Sequence, residues 1–288
     1  MASVAAGAAI GVLIVGRGRA GRARARSLER HPRARLLGSL GGRDLDLEAA
    51  LHDPAVEAVI LCTPNLLHAG AVRGVLERDR HVAVEYPLAR GAGEARALFA
   101  LARERGRILH VGHVELLSDS QRVQRGRIPA LGRPRGGQLH FRGGLAGWQA
   151  DPSLAGSEAL RALARIHRLL DLFGPARVES AELRAREPLG YRLEVELRFE
   201  YGGFTRLVEE RRPGLARRLA WKIECETGAL DDPGALGAGD VFHQDGGAFL
   251  GRILDGRPAE PDEARLLAAL ARVEEIEALL RAGASPER

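Results

Sequence analysis

At 288 residues the chain can form one large or two medium domains around well-buried cores, and 45% hydrophobic with 28% charged residues excludes the disordered and fibrous classes. The net charge is +5, but of 43 basic residues only Lys222 is a lysine, and acids interleave the arginines in LARERGR (101–107) and RVEEIEALLR (272–281), the pattern of solvated helix faces. The arginine excess therefore reads as a bias toward GC-rich codons, and nucleic acid is not expected as the main ligand. Cys62 and Cys225 are far apart and share no metal spacing with any histidine, so they read as free thiols of a reducing compartment. The N-terminal apolar run has no basic segment before it, and no stretch approaches the roughly 20 apolar residues of a membrane span. A cytoplasmic protein without a membrane partner is expected.

In chain order, IGVLIV (10–15) predicts a strand, RARARSLER (22–30) a helix and ARLLGSL (34–40) a second strand. A short helix in DLEAALHD (46–53) leads to a strand in VEAVILCT (56–63). Then come a helix in 66–79, a strand in HVAVEY (81–86), a helix in 91–106 and a strand in RILHVGHVE (107–115). Strands that are apolar throughout belong to a parallel sheet covered on both faces. Their alternation with helices predicts a doubly wound α/β domain over residues 1–117. Beyond it, RGGQLHFRGGL (135–145), ARVESAELRARE (176–187), YRLEVELRFEYGG (191–203), FTRLVEER (204–211) and RLAWKIECETGAL (218–230) mostly alternate apolar with polar. That rhythm predicts a large, mostly antiparallel sheet with one open face. A helix over 157–174 interrupts it, and an amphipathic helix over 263–283 closes the chain. Residues 118–288 are thus expected to form one α+β domain.

Gly16-Arg17-Gly18-Arg19-Ala20-Gly21 follows the first strand and opens a helix. This is the context a dinucleotide fingerprint requires: the first glycine permits the tight turn, the second lets backbone approach the pyrophosphate, and the third lets helix pack on strand. The helix N-terminus adds partial positive charge for the phosphates. At the end of the second strand, where NAD enzymes place an acid for the ribose 2′-hydroxyl, this chain has Ser39-Leu40-Gly41-Gly42-Arg43. A guanidinium matches a 2′-phosphate, so NADPH is predicted over NADH, with Arg43 as its main contact unless Arg43 is simply solvated. Thr63, Pro64 and Asn65 sit where the third strand meets its helix, with His68 one turn in. They are expected at the cofactor, although Thr63 and Asn65 are also ordinary helix caps.

GRGRAG, CTPN, the EYP strand end and the closing FLGRILDGRPAEPDEARLLAALARVEEI resemble the glucose-fructose oxidoreductase and inositol dehydrogenase superfamily. Within it, HVAVEYPLARGAGEARALFALARERGRILHVGHVELL, RRPGLARR, the ETGAL turn after Lys222 and DVFHQDGGAFLGRILDG are similar to the biliverdin reductase family over nearly the whole chain. The resemblance implies a Rossmann domain before an open sheet. It also implies a monomer that uses NADPH to reduce biliverdin at its central methine carbon, C10. The sugar dehydrogenases carry EKP where this chain has Glu85-Tyr86-Pro87, and a His–Asp pair in the second-domain helix where it has Ala164 and His167. Without that relay the chain is poorly equipped to deprotonate an alcohol, yet it can deliver hydride to a conjugated acceptor.

Glu85 and Tyr86 are candidates at the cofactor side and in catalysis, Tyr86 also being an ordinary aromatic at a strand end. The resemblance places Arg165 at the substrate, to orient a propionate or supply a proton. Arg217 and Arg218, with Arg211, Arg212 and Lys222, form a basic cluster suited to carboxylates or merely to solvent. His110, His113 and Glu115 do not predict a metal, because positions three apart on a strand face opposite sides. His113 and Glu115 remain candidates for substrate binding. The competing readings are a sugar or cyclitol dehydrogenase of the same superfamily and a non-catalytic dinucleotide-binding regulator.

Overall fold

A strand buried along its whole length must be covered on both faces, and β1 (Ile10–Val15) is such a strand in the computed structural model of the protein. The structure describes residues 9–41, 46–185, 189–232, 240–259 and 262–283. After β1 come α1 (Arg19–Glu29), β2 (Ala34–Leu40), α2 (Leu47–Leu51), β3 (Ala58–Leu61), α3 (His68–Glu77), β4 (His81–Glu85), α4 (Ala92–Glu104) and β5 (Leu109–Gly112). The five strands pair in parallel in the order β2-β1-β3-β4-β5. The order reverses beside β1, and ligands of such sheets bind at the carboxyl ends of the strands at that switch point. β5 is shorter than its apolar pattern suggested. It stops at Gly112, and Val114–Leu117 form a 3-10 turn.

His81 at the start of β4 shows how burial sets this unit's response to acid. Its Nδ1 accepts a hydrogen bond from the Ile108 amide at 3.0 Å, which requires a neutral ring. Burial, with Arg107 nearby, lowers its pKa to about 4. A depressed histidine contributes stability that is complete above the unfolded value near 6.5 and is lost as pH falls toward 4. Partial exposure limits the loss to about 1–3 kcal/mol. Melting temperatures of wild type and His81→Gln between pH 7 and 4 check this: the acid-induced drop shrinks in the variant.

The second unit contains α5 (Asp119–Leu131), β6 (Pro134–Gly143), α6 (Pro152–Ala155), α7 (Glu158–Phe173), β7 (Ala176–Ala185), β8 (Tyr191–Phe199), β9 (Phe204–Arg211), β10 (Arg218–Cys225) and β11 (Ala229–Asp231). The strands order as β11-β10-β6-β9-β8-β7. All pairs are antiparallel except β6 with β9. Alternation is strict in β8, where Tyr191, Leu193, Val195, Leu197 and Phe199 are buried and each side chain contributes about 1.5–3 kcal/mol of burial. α5 was not legible in the sequence, since Gly126 and Pro129 lie within it and its buried residues are Gln121 and Gln124. The 218–230 run, read as one segment, is a hairpin of β10 and β11.

α8 (Val241–Asp255) and α9 (Glu263–Gly283) follow. They correct the domain assignment. The two compact units are Met1–Leu117 with Asp240–Ala264, and Ser118–Gly239 with Arg265–Arg288, so 118–288 is not one continuous domain. The reason is packing: Phe249 and Leu250 of α8 are buried in a core cluster with Ile10, Val12, Ile14 and Leu28. No helix among the described residues is long and apolar enough to cross a membrane.

Candidate active site

Each glycine of the fingerprint has a distinct spatial requirement. A Cβ at Gly16, whose φ is +116°, would lie 2.3 Å from the Cys62 carbonyl oxygen, and one at Gly21 would lie 1.8 Å from the Gly16 oxygen. A Cβ at Gly18 would meet no described atom within 4 Å, so what Gly18 keeps open is approach from outside. Gly18 caps α1 without a side-chain bond, and the first turn carries no acid. The amides and partial positive charge of the helix end are thus not neutralised by a carboxylate of their own turn. Arg19 is exposed beside Gly18, and Ala20 is half-buried.

At the carboxyl end of β3, Pro64 rather than Thr63 or Asn65 precedes the 3-10 turn Asn65–Leu67, with no side-chain cap. The Thr63 hydroxyl is buried and makes no hydrogen bond among the described residues, a state costing about 1–3 kcal/mol unless a ligand or water completes it. Together with the Gly18 opening, this fits a bound dinucleotide. His68, 1% exposed, does not reach outward. Its Nδ1 lies 2.6 Å from the Pro87 carbonyl and its Nε2 lies 2.8 Å from that of Thr63, so it ties the CTPN loop to the EYP turn. Burial holds its pKa below the usual histidine range against both carbonyls. Arg43 lies outside the described residues. Arg17, passed over in the sequence except as a spacer in the glycine motif, reaches the end of β2.

Glu85 belongs to a buried ion network. Arg24 of α1, 2% exposed, donates from Nε to Glu85 at 2.8 Å and from an η nitrogen to Asp245 of α8. Asp245 also lies 3.1 Å from Nε2 of His110. Burial pushes the Asp245 carboxyl up, but Arg24 and His110 outweigh it and hold it well below the usual range. One Glu85 carboxylate oxygen is thus paired with Arg24 at the end of β4, directly before Tyr86. Cys62 beside it is pushed up by burial and by Glu85, as expected of an inert thiol.

Tyr86 and His113 come together. They follow paired positions of β4 and β5, Glu85 opposite Gly112, and their rings stack with centroids 4.1 Å apart and planes 5° apart. His113 is buried, while Glu115 lies in the turn beyond β5. The strand alternation invoked for His110 and His113 does not apply, because His113 is already past the strand end.

In the second unit, α7 carries Arg161, Arg165 and Arg168 at helical spacing, and each guanidinium lies over a sheet aromatic: Tyr191, Phe141 and Trp221 respectively. Arg165, 4% exposed, is bound by both carboxylate oxygens of Glu209 at 2.8–3.0 Å. Glu209 also accepts from Arg211 at 2.6 Å and from the Tyr191 hydroxyl at 3.3 Å. Arg211 and the exposed Arg217 join Arg165 around the Phe141 ring, at 4.8, 5.6 and 4.5 Å. Three guanidiniums thus surround one ring beside one buried carboxylate, a strongly cationic cluster. Arg218 is separated from Arg217: it pairs with Arg142 across β6, and alternation turns it to the open face. Glu209 was missed in the sequence. Its signal was phase, since it falls on the inward positions of β9 with Thr205 and Leu207.

Residues 10–113 match the model of the oxidoreductase family with an NAD-binding Rossmann fold, and residues 133–235 match that of the biliverdin reductase catalytic domain. Biliverdin reductase A of Mus musculus is 31% identical and that of Homo sapiens 30%, each over 93% of this chain and 95% of the relative. The structure of biliverdin reductase from Synechocystis sp. PCC 6803 in complex with biliverdin and NADP+ superposes with a TM-score of 0.79 at 22% identity, covering 94% of this chain and 99% of that one, which shows a shared fold. The chain belongs to the biliverdin reductase family of NAD(P)H-dependent oxidoreductases.

Proposed function

We propose that this protein uses NADPH to reduce biliverdin to bilirubin. The observation that carries the reading is the guanidinium cluster around Phe141. A linear tetrapyrrole with two propionates needs cations to hold its carboxylates and flat surfaces for its conjugated rings; a neutral sugar needs neither. When bound, the reduced nicotinamide supplies a hydride for the central methine carbon, C10, and a pyrrole nitrogen of the substrate takes a proton. Gly16, Gly18, Arg19, Ala20 and Gly21 hold the dinucleotide at the α1 end, with Thr63, Pro64 and Asn65 on the β3 side and Arg43 near the ribose.

Arg165, fixed by Glu209, supplies oriented positive charge, which compensates the electron density gained by the tetrapyrrole. Arg217 is the propionate contact, while Arg218, on the open face, is not assigned one. Tyr86, held by its stack on His113, contacts substrate, with His113 and Glu115 supporting it. The sugar-dehydrogenase relay has no counterpart: Tyr86 and Ala164 carry no such groups, and His167 is buried in α7. The open sheet face carries alternating charges such as Arg206, Glu196, Arg192 and Glu210, which supports a monomer.

Mixing the protein with NADPH and biliverdin tests the proposal. The expected result is loss of the green pigment's absorbance and growth of the yellow one's. Turnover of inositol or glucose without reaction of biliverdin overturns it in favour of the sugar dehydrogenases; cofactor binding without turnover of either favours a regulator.

A further inference from the structure

Neighbouring strands β10, β6 and β9 set polar side chains from distant parts of the sequence in one row on the open face of their sheet. Lys222 of β10 lies opposite Gln138 of β6, and Gln138 lies opposite Arg206 of β9. All three are exposed, while Trp221, Ile223, Leu139, Thr205 and Leu207 beside them along the strands are buried. Next to this row Gly136 lies opposite Glu224 and puts no side chain on the central strand. Packing demands glycine here. A Cβ at Gly136 would lie 2.8 Å from the Phe204 ring, and one at Gly137, whose φ is +137°, would lie 2.2 Å from the Lys222 carbonyl oxygen. The result is a cavity of about 590 Å³ walled by Phe204, Gln138 and Glu224 and carrying Arg135, Arg206 and Lys222.

The charge around this cavity is not balanced. Elsewhere on the face arginines pair with glutamates: Arg192 with Glu194 at 2.7 Å, Arg198 with Glu196 at 3.1 Å and Arg142 with Glu210 at 3.6 Å. Glu196, which lies opposite Arg206, is thus held by Arg198. Arg135, Arg206 and Lys222 make no hydrogen bond or ion pair among the described residues. Glu224 offsets only one of them, so positive charge stands in excess. From this geometry we infer that the open face holds a binding site for a small phosphate monoester. Such a group carries about −1.5 to −2 charge at neutral pH, enough to neutralise the excess. Guanidiniums grip its oxygens two at a time, and a lysine adds a point charge. The volume is that of a small-molecule site, and the carboxylates of Glu196 and Glu224 interrupt the extended basic track that a nucleic acid needs. The site is separate from the residues assigned to the dinucleotide and the tetrapyrrole, so it does not depend on the biliverdin reading.

Lys222 is the only lysine of the chain, which gives the test a local reporter. Reductive ¹³C-methylation labels its amine and the N-terminal amine and keeps their positive charge. With the dinucleotide site saturated by NADP+, ribose 5-phosphate is expected to shift the Lys222 signal, with saturation below about 10 mM. The N-terminal signal stays in place, and neither ribose nor sodium chloride at matched ionic strength moves Lys222. Arg206→Ala weakens the binding about 10-fold, and Glu224→Gln, which removes a like charge, strengthens it. Arg206 and Glu224 are exposed, so both variants keep the wild-type melting temperature, which serves as the folding control. A Lys222 signal that ignores ribose 5-phosphate, or moves equally with sodium chloride, overturns the site. An Arg206→Ala affinity within twofold of wild type does the same. A single-stranded oligonucleotide that shifts Lys222 at lower concentration than ribose 5-phosphate overturns the small-molecule assignment in favour of nucleic acid.

Discussion

Arg24→Met is expected to lower the unfolding free energy by about 3–5 kcal/mol, the cost of leaving buried charge without its partner. The substitution keeps most of the volume of a side chain that is 2% exposed, so packing is not the main loss. What it leaves is the Glu85 and Asp245 carboxylates without the guanidinium that bridges them. Urea denaturation measures the loss, and its pH dependence identifies the cause. The Asp245 pKa is depressed in the folded protein, so its contribution is present above the unfolded carboxylate value near 3.9 and disappears as pH falls below it. The gap between wild type and Arg24→Met therefore narrows as pH falls below about 4. A loss under about 1 kcal/mol, or one that does not change with pH, means that Arg24 is held for its shape alone. Because Glu85 directly precedes Tyr86, a companion measurement of turnover reports whether the network also positions that ring.

Arg165→Ala is expected to lower turnover of biliverdin by about 100-fold, the loss typical of removing one preorganised electrostatic group. Arg165 is clamped by Glu209 and backed by the Phe141 ring, so its charge is fixed before substrate arrives. Its removal leaves Glu209 with Arg211 and the Tyr191 hydroxyl, so the fold tolerates the change better than loss of Arg24. Arg165→Lys restores the charge without the two-armed bond to Glu209 and recovers only part of the rate. A drop in kcat with little change in KM assigns the residue to charge compensation, whereas a rise in KM alone assigns it to propionate binding. An Arg165→Ala protein within twofold of wild type removes Arg165 from the mechanism.

Much of this was written locally in the chain. The bounds of β1, β2 and β9 coincide with those read from residue pattern, most clearly in β1, which is apolar throughout and buried along its whole length. The glycine motif was legible for the same reason: Gly16 and Gly21 answer steric demands made within a few residues of themselves or by the neighbouring strand end. α5 was not legible, because Ser118 caps a helix whose buried face is polar and which therefore shows no apolar stripe.

The sequence by itself determined the class of each half, the glycine fingerprint and the absence of a lysine at Glu85-Tyr86-Pro87, since each depends on short-range pattern. Only the tertiary structure decided what the charged residues do. Arg24 and Asp245 are 221 positions apart, so nothing near either residue announces the other. Arg165 and Glu209 come from a helix and a strand whose pairing is set by how α7 lies on the sheet. An arginine in a chain so rich in arginine looks the same in sequence whether it is solvated, buried in an ion pair or aimed at a ligand. Burial and partner distance separate these cases, because the free energy of a charge depends on its surroundings far more than on its neighbours in the chain.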